Sequence, residues 1–427
     1  MKALRSRFGR DLFLLIILSF LISSFLQPNH KGKPPRNILQ NLLLANPNKF
    51  SKVLSNPKSY RVQIIYTQIN RDEKNIPHFK QYSYRINPKE YFYPASLVKI
   101  PAVALSLQKL NELNIRGLDK STRMKIDSAY FCQAAAGIDT TAKDGFPSIG
   151  HYIKKALLVS DNDAFNRLYE FLGQEYLNNE LWKREYTSVR ITNRLTYCDT
   201  LSNRYTNPMA FYNPKGEIIY KQPLAFNPKQ FKNSYGKFLI GKGFLDFEGK
   251  LSKQPKDFTF ANYLSLRDIN DIFISIIFPE SFPKEKQFNL SPEDYQFLYR
   301  YLSMYPSESD YPAYSRKEFG DSFKKYFIYG SNKDTITQDS IRIFNHVGQA
   351  YGFLSDCAYI VDFKNKVEFL LSATIYVNSD GILNDGKYEY AEIGFPFLAN
   401  LGKVVYQYER KRKRKVIPDV SSFRMTY

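Results

Sequence analysis

The chain has 427 residues and a formal net charge of +20, with 61 lysines and arginines against 41 aspartates and glutamates. Hydrophobic residues make up 43% and charged residues 24%, which is ordinary globular usage and excludes wholesale disorder, collagen-like sequence and low complexity. The positive charge indicates attraction to polyanions, but it does not choose among nucleic acid, anionic lipid and cell-wall polymers.

The N-terminus has the pattern of a secretory signal. Four basic residues precede Asp11, and residues 12–26 are an apolar run interrupted only by serines. This arrangement is typical of export, and the run is short for a membrane span, which needs about 20 residues. Residues 1–27 are therefore predicted to be a signal peptide or an N-terminal membrane anchor, followed by a linker and lead-in at 28–58. Export places the domain in the periplasm or tethered outside the cytoplasmic membrane, and it argues against a nucleic-acid partner.

The next elements follow from hydrophobic periodicity. Alternating residues at 60–70 predict a strand, with a hairpin partner at 79–86. Helical patterns follow at 97–113 and at 149–172, the latter as two helices that meet at Ser160. Residues 181–204 show no regular pattern. Further helices are predicted at 265–278, 291–302 and 388–407, and further strands at 340–348, 358–363 and 367–377.

Strands at both ends of the chain with helices between them predict an α+β fold. One antiparallel sheet would be built from both chain ends and flanked by helices, within a single domain over residues 59–409. Residues 212–256 are rich in Gly, Pro, Lys and Phe without a sustained period, which indicates an insertion that contains a small hairpin. Six consecutive basic residues at 410–415 open a basic C-terminal tail, 410–427, which is expected to be solvated.

The cysteines and histidines give no sign of a metal site. Cys132, Cys198 and Cys357 are spaced too widely for a metal motif, and their odd number leaves at least one unpaired. They are interpreted as buried apolar thiols. The four histidines form no His-x-x-x-His pair, and no phosphate-binding glycine loop is present, so no metal, nucleotide or flavin cofactor is expected.

Ser96-x-x-Lys99 opens the predicted helix at 97–113 and is the first candidate for chemistry. Three residues make about one helical turn, so the two side chains share a face. A lysine in a dry pocket loses its proton more easily and can then deprotonate a serine. Alone, the pair is equally consistent with a serine cap and a surface lysine.

Two further motifs follow in the chain. Ser160-Asp161-Asn162 lies between two helical patterns, where a serine could relay a proton and an asparagine could bind an amide carbonyl. His346-Val347-Gly348 lies on the strand before the strongest strand, where a glycine on an edge strand lets a substrate backbone approach closely.

Taken together and in this order, the three motifs resemble the class A β-lactamase and penicillin-binding protein superfamily of serine hydrolases. Residues 205–210 resemble the helix entry that follows the omega loop of that family, and residues 390–394 resemble the start of its C-terminal helix. The resemblance implies a β-lactamase/transpeptidase-like fold with an all-helical subdomain.

The resemblance also implies roles for the motif residues. Ser96 would be the acylated nucleophile, Lys99 its base and Ser160 the proton shuttle. The substrate would be bound by Asn162, by His346 and Gly348 of the third motif, and by the backbone N–H of Gln349, which would form an oxyanion hole with that of Ser96.

Two departures from the family pattern concern recognition and deacylation. The usual Lys-Thr/Ser-Gly motif is His346-Val347-Gly348 here, which removes a fixed cation and a hydroxyl. If His346 serves as the cation, activity should rise as it gains a proton between pH 5 and 8. The glutamate that activates water in class A enzymes would fall near Ile191, and Asp199 is the only carboxylate between Glu185 and Glu217. Asp199 is either a substitute base or a turn cap.

The sequence thus predicts an exported serine hydrolase that acts through a Ser96 acyl-enzyme on a β-lactam or a related small amide or ester. One alternative is a D,D-peptidase, amidase or esterase of the cell envelope. Another is a degenerate member of the fold that has no catalytic activity and contacts anionic envelope polymers or lipid through its positive surface.

Overall fold

The computed structural model describes residues 37–131, 133–196, 199–331, 336 and 340–427. The predicted signal segment at 1–27, together with Cys132 and Cys198, lies outside the described residues. The helices are α1 (Ile38–Leu44), α2 (Pro47–Leu54), α3 (Lys99–Leu113), α4 (Ile149–Leu158), α5 (Asn162–Leu172), α6 (Gln174–Lys183), α7 (Leu266–Ile277), α8 (Pro292–Ser303) and α9 (Phe395–Lys411).

The strands are β1 (Gln63–Arg71), β2 (Pro77–Tyr84), β3 (Arg123–Ile126), β4 (Met209–Tyr212), β5 (Ile218–Gln222), β6 (Leu239–Ile240), β7 (Gly243–Leu245), β8 (Leu251–Ser252), β9 (Lys256–Asp257), β10 (Ile341–Ala350), β11 (Phe353–Asp362), β12 (Val367–Tyr376) and β13 (Ile382–Leu383). Short 3-10 turns include Ala95–Val98, which leads directly into α3. None of the described helices combines the length and apolarity that a bilayer crossing requires.

The main sheet is antiparallel and joins the two ends of the chain. Its strand order is β10-β11-β12-β1-β2, so the N-terminal hairpin pairs with the C-terminal meander through β1 and β12. In that register Ile64 lies opposite Ala373 and Tyr66 opposite Leu371. The predicted α+β class, with one antiparallel sheet built from both chain ends, is confirmed.

Each face of the sheet carries its own hydrophobic core, because alternate strand residues point to opposite faces. Ile64 and Tyr66 of β1 pack with α1, α2 and α9, whereas Ile65 and Ile69 pack with the helices of the middle of the chain. Helices α3, α4, α5 and α6 also contact one another, which makes the expected all-helical layer. Strand β10 forms the sheet edge beside the 3-10 turn at Ala95–Val98.

Two segments are more ordered than expected. The described part of the predicted linker at 28–58 contains α1 and α2, whose Leu39 and Phe50 are fully buried against the sheet. The tail is solvated only in part, since most of its residues are exposed but Phe423 is buried and packs edge-on against Phe278 and Phe344. Both expectations fail because these short segments are held by contacts with distant elements rather than by their own pattern.

The segment at 205–210 does not enter a helix. Residues Met209–Tyr212 form β4, which pairs with β3 and β5, and the next helix is α7, capped by the Ser265 side chain. The predicted insertion at 212–256 contains several two- to five-residue strands rather than a single hairpin. The C-terminal helix follows the predicted segment more closely, with a π-helical turn at Tyr390–Gly394 leading into α9.

Candidate active site

Ser96 lies in a tight turn between the sheet edge and the helical layer. Its 3-10 turn runs directly into α3, so Ser96 sits at a helix N-terminus, where backbone N–H groups create positive potential. The preceding Ala95 has a left-handed φ of 46°, which few non-glycine residues adopt. Ser96 is half-buried, and its own backbone N–H is not bonded to any residue that the structure describes.

Lys99 brings the first two motifs together. Its Nζ lies 2.9 Å from Ser96 Oγ, 3.0 Å from Ser160 Oγ, 2.6 Å from the Ser160 carbonyl oxygen and 2.9 Å from Asn162 Oδ1. Its side chain is fully buried. Ser160 has a left-handed φ of 60°, which turns the loop between α4 and α5 so that both its hydroxyl and its carbonyl reach the amine. Residues Ser96, Lys99, Ser160 and Asn162, predicted from two separate motifs, therefore form one contact cluster.

The hydrogen-bond partners suit an uncharged amine at Lys99. Burial and the nearby ammonium of Lys324 lower the pKa of Lys99 well below its ordinary value, against a smaller opposing effect of Asp161. A neutral amine has two N–H donors and one lone pair. The Ser160 carbonyl and Asn162 Oδ1 can only accept, so they take both donors. The lone pair is then left for the hydroxyl proton of Ser96 or Ser160.

Asn162 contributes a second group to the site. Its Oδ1 is held by Lys99, while its amide nitrogen donates to none of the described residues, and the side chain is exposed to solvent. Asp161 caps α5 through the Ala164 N–H at 2.9 Å, and its carboxylate lies 3.7 Å from Lys155 Nζ. The loop is thus fixed by Asp161, and the Asn162 amide is left available to a ligand carbonyl.

The third motif lies on β10, the edge strand beside the turn that carries Ser96. A two-residue turn at Tyr351 and Gly352, both with positive φ, closes the β10–β11 hairpin. The closing pair of such a hairpin exchanges hydrogen bonds, so the next pair, Gln349 with Leu354, does not. Because β10 is the edge strand, the Gln349 N–H points outward from the sheet, as an oxyanion-hole donor must.

Gly348 is required for contact within the protein. A Cβ at this position would lie 2.4 Å from the Pro94 carbonyl oxygen and 3.5 Å from Ala95 Cβ. The close approach expected of this glycine is therefore made to the turn that carries Ser96, not to a substrate. It fixes the distance between β10 and Ser96.

Gly348→Ala is expected to reduce any Ser96-dependent activity at least about tenfold, because the clash is with backbone and must displace the turn or the strand. The free energy of unfolding should fall by about 1–3 kcal/mol. Gly137→Ala is the matched control, since its new Cβ meets only a flexible lysine chain at 3.4 Å. Kinetics and urea unfolding of both variants test this, and equal behaviour of the two would contradict it.

His346 is buried at the site, which disfavours the pH-dependent cation expected from the sequence. It is 1% exposed, and burial together with Lys99, Lys324 and Lys325 lowers its pKa well below 6.5. This direction opposes the predicted gain of a proton between pH 5 and 8, and the pH profile of activity is the measurement that tests that prediction. Val347 is fully buried in the core on the other side of the sheet, so its lack of a hydroxyl leaves no gap on the site side.

The segment that follows the insertion reaches the neighbourhood of the site. Phe258, two residues past the insertion, packs against Tyr93, three residues before Ser96, and against Tyr351, two residues after Gln349, with ring centroids 5.5 and 5.2 Å apart. Sequence patterns could not place Phe258 here, because the contacts join three distant segments. The aromatic rings therefore link the turn that carries Ser96 to the end of β10.

No carboxylate of the described residues contacts Ser96, Lys99 or Ser160 by hydrogen bond or ion pair. Asp199 accepts a 2.6 Å hydrogen bond from the Ser202 N–H, which favours its interpretation as a turn cap. Ile191 is fully buried in the core. Among the described residues, no group of three or more His, Cys, Asp or Glu side chains could hold a metal ion. Cys357 is a buried free thiol on β11, and burial raises its pKa.

Comparison with known proteins identifies similar sequences and structures. Residues 48–228 match the model of the beta-lactamase enzyme family, which confirms the resemblance predicted from the sequence. Among solved structures, the chain is similar to a beta lactamase from Xanthomonas campestris pv. campestris, at 12% identity and a TM-score of 0.47, over 87% of this chain and 99% of the other. It is also similar to the beta-lactamase of Streptomyces albus G, at 12% identity and a TM-score of 0.44, over 86% and 99%. Among curated proteins, none matches the sequence.

Proposed function

We propose that this chain, whose residues 48–228 match the model of the beta-lactamase enzyme family, is an exported serine hydrolase that is acylated on Ser96 by β-lactams or related amides and esters. The observation that carries the proposal is the buried Lys99 amine, which lies within hydrogen-bond distance of both Ser96 Oγ and Ser160 Oγ. Export rests on the basic and apolar pattern of residues 1–27. Outside the cytoplasm, the +20 charge adds attraction to anionic envelope polymers or lipid.

Acylation would proceed through these three side chains. The lone pair of Lys99 takes the Ser96 hydroxyl proton as Ser96 Oγ attacks the substrate carbonyl carbon. The backbone N–H groups of Ser96 and Gln349 stabilise the oxyanion. As the carbon–nitrogen bond breaks, the Ser160 hydroxyl gives its proton to the leaving nitrogen and regains one from the Lys99 ammonium. The Asn162 amide nitrogen would hold the acyl side of the substrate.

The described residues provide a base for acylation but no carboxylate base for deacylation. Water needs a general base, and the described residues place no carboxylate in contact with Ser96, Lys99 or Ser160. This observation favours a second candidate function within the same chemistry, a penicillin-binding D,D-peptidase or slow hydrolase of the cell envelope. In both cases Ser96 forms the same acyl-enzyme, and the two functions differ in how long it lasts.

Adding a penicillin is expected to increase the intact mass of the protein by the mass of the antibiotic, and the adduct should last for many minutes, because no base activates water beside Ser96. A time course of intact mass measures this. Ser96→Ala is the negative control and should show no adduct at any time.

A transient adduct with product release would instead indicate efficient turnover and a base that the described contacts do not include. If wild type and Ser96→Ala both stay unmodified at high penicillin concentration, the acyl-enzyme proposal fails for this substrate class. Modification of both proteins alike would place the reaction on another nucleophile.

A further inference from the structure

Three lysine side chains lie near His346, and among the described residues only one of them makes no hydrogen bond through its Nζ. Lys99, Lys324 and Lys325 all lower the pKa of this histidine. The Lys99 Nζ makes its hydrogen bonds with Ser96, Ser160 and Asn162. Lys325 Nζ donates to the Leu302 carbonyl at 2.9 Å, the Ile343 carbonyl at 2.8 Å and Asn345 Oδ1 at 2.7 Å, which uses all three of its protons.

Lys324 is different. Its ammonium forms no hydrogen bond or ion pair with the described part of the chain, and its contact is the Phe323 ring, 5.1 Å from Nζ to the centroid. A largely buried cation without an anionic partner is costly, so a site of this kind is suited to an anion that arrives from solution.

The backbone places Lys324 beside the third motif. Its φ of 61° is left-handed, and its carbonyl accepts a 2.8 Å hydrogen bond from Asn345 Nδ2, the residue before His346 on β10. Its N–H donates to Ser331 Oγ at 3.4 Å. These bonds hold the Lys324 backbone against the strand that also carries Gln349.

His346 adds an independent sign of a missing ligand. Its Nε2 is buried and has no hydrogen-bond partner among the described residues. Buried polar atoms are nearly always satisfied. An imidazole nitrogen without a described partner, one residue after the Asn345 that holds the Lys324 backbone, therefore marks a place where a polar group is absent from the described residues.

We propose that Lys324, which no sequence motif identifies, supplies the positive charge of this site and binds the carboxylate of the substrate, with His346 as a second polar partner. The assignment rests on the proposed function, because it names the substrate class of the same site as small acyl compounds that carry a carboxylate. Burial lowers the pKa of Lys324 to about 8, which keeps its charged form in the majority at pH 7, whereas the pKa of His346 is lowered well below 6.5.

Binding of a penicillin and of its uncharged methyl ester tests the assignment without requiring acylation. In a Ser96→Ala background, calorimetry is expected to show that the acid binds roughly 10- to 100-fold more tightly than the ester, as a charge-assisted hydrogen bond provides. Adding Lys324→Met should bring the two affinities to within about threefold of each other, while Lys324→Arg should retain most of the preference. Lys317→Met, at an exposed position, removes the same charge and should keep the full preference.

The assignment would be overturned if Ser96→Ala with Lys324→Met kept the full preference for the acid over the ester, or lost acid and ester binding equally. It would also be overturned if Ser96→Ala alone bound neither compound or bound the two with equal affinity. If Ser96→Ala binds the acid selectively through Lys324 but the wild type forms no adduct, the Lys324 assignment holds and the acyl-enzyme proposal fails.

Discussion

Lys99→Met is expected to slow acylation of Ser96 by roughly 10²- to 10⁴-fold, the usual contribution of a positioned general base. Methionine fills a similar volume, so the buried position should stay packed while the lone pair is lost. Lys99→Arg should not restore the rate, because a guanidinium stays protonated at every accessible pH. The measurement is the rate at which a penicillin adduct appears by intact mass, compared with that of the wild type.

The pH profile separates the role of a base from that of a structural residue. Since burial and the charge of Lys324 lower the pKa of Lys99 well below 10.5, its free amine forms at a lower pH than that of an exposed lysine. The acylation rate of the wild type should rise with pH while Lys99 loses its proton and then level off, and this rise should be absent in Lys99→Met. Lys89→Met, at an exposed position, should leave both the rate and the profile unchanged. An adduct rate for Lys99→Met within tenfold of the wild type would contradict the role of Lys99 as base.

The sheet and the Ser96-Lys99 pair were predictable from the sequence because their signals are local. Strand β1 alternates with period two, and a spacing of three residues puts Ser96 and Lys99 on neighbouring turns whatever the rest of the chain does. The second motif was also predictable, because the helical periodicity breaks at Ser160, which indicates a loop between two helices. The contact between these motifs depends on tertiary structure. It was predicted from the family resemblance rather than from either pattern alone.

What the sequence could not show depends on partners far along the chain. Helices α1 and α2 have seven and eight residues, too short to be stable alone, and they exist because the sheet buries Leu39 and Phe50. The segment at Met209–Tyr212 is a strand because β3 pairs with it. The lowered pKa of His346 comes from burial and from lysines of other segments. Lys324 carried no motif, and the lack of a hydrogen-bond or ion-pair partner for its Nζ among the described residues is visible only in the folded chain.

Glu409→Ala is expected to lower the free energy of unfolding by about 3–5 kcal/mol, the largest stability effect expected of an exchange outside the active site. Glu409 is fully buried at the end of α9, where its carboxylate accepts from the Tyr66 hydroxyl and from Arg414, and from Arg412 Nε at 2.8 Å. Without it, two guanidinium groups lose the carboxylate that they contact, and a buried phenol loses its acceptor. Urea unfolding measures the change, and Glu73→Ala, at an exposed position, is the control.

The run of six basic residues at 410–415 contains both side chains that are bonded to the domain and side chains that are exposed. Arg412 reaches back to the first strand of the sheet, donating to the Ile69 carbonyl at 2.8 Å and to Asn70 Oδ1 at 2.7 Å, while Lys411 beside it is exposed. Arg412→Ala should therefore destabilise the domain by roughly 1.5–3 kcal/mol, as hydrogen bonds to charged groups contribute, whereas Lys411→Ala should stay within about 0.5 kcal/mol of the wild type. Equal effects of the two substitutions would mean that the run acts as a solvated charge cluster, and a small effect of Glu409→Ala would mean that the domain does not depend on this link between its two chain ends.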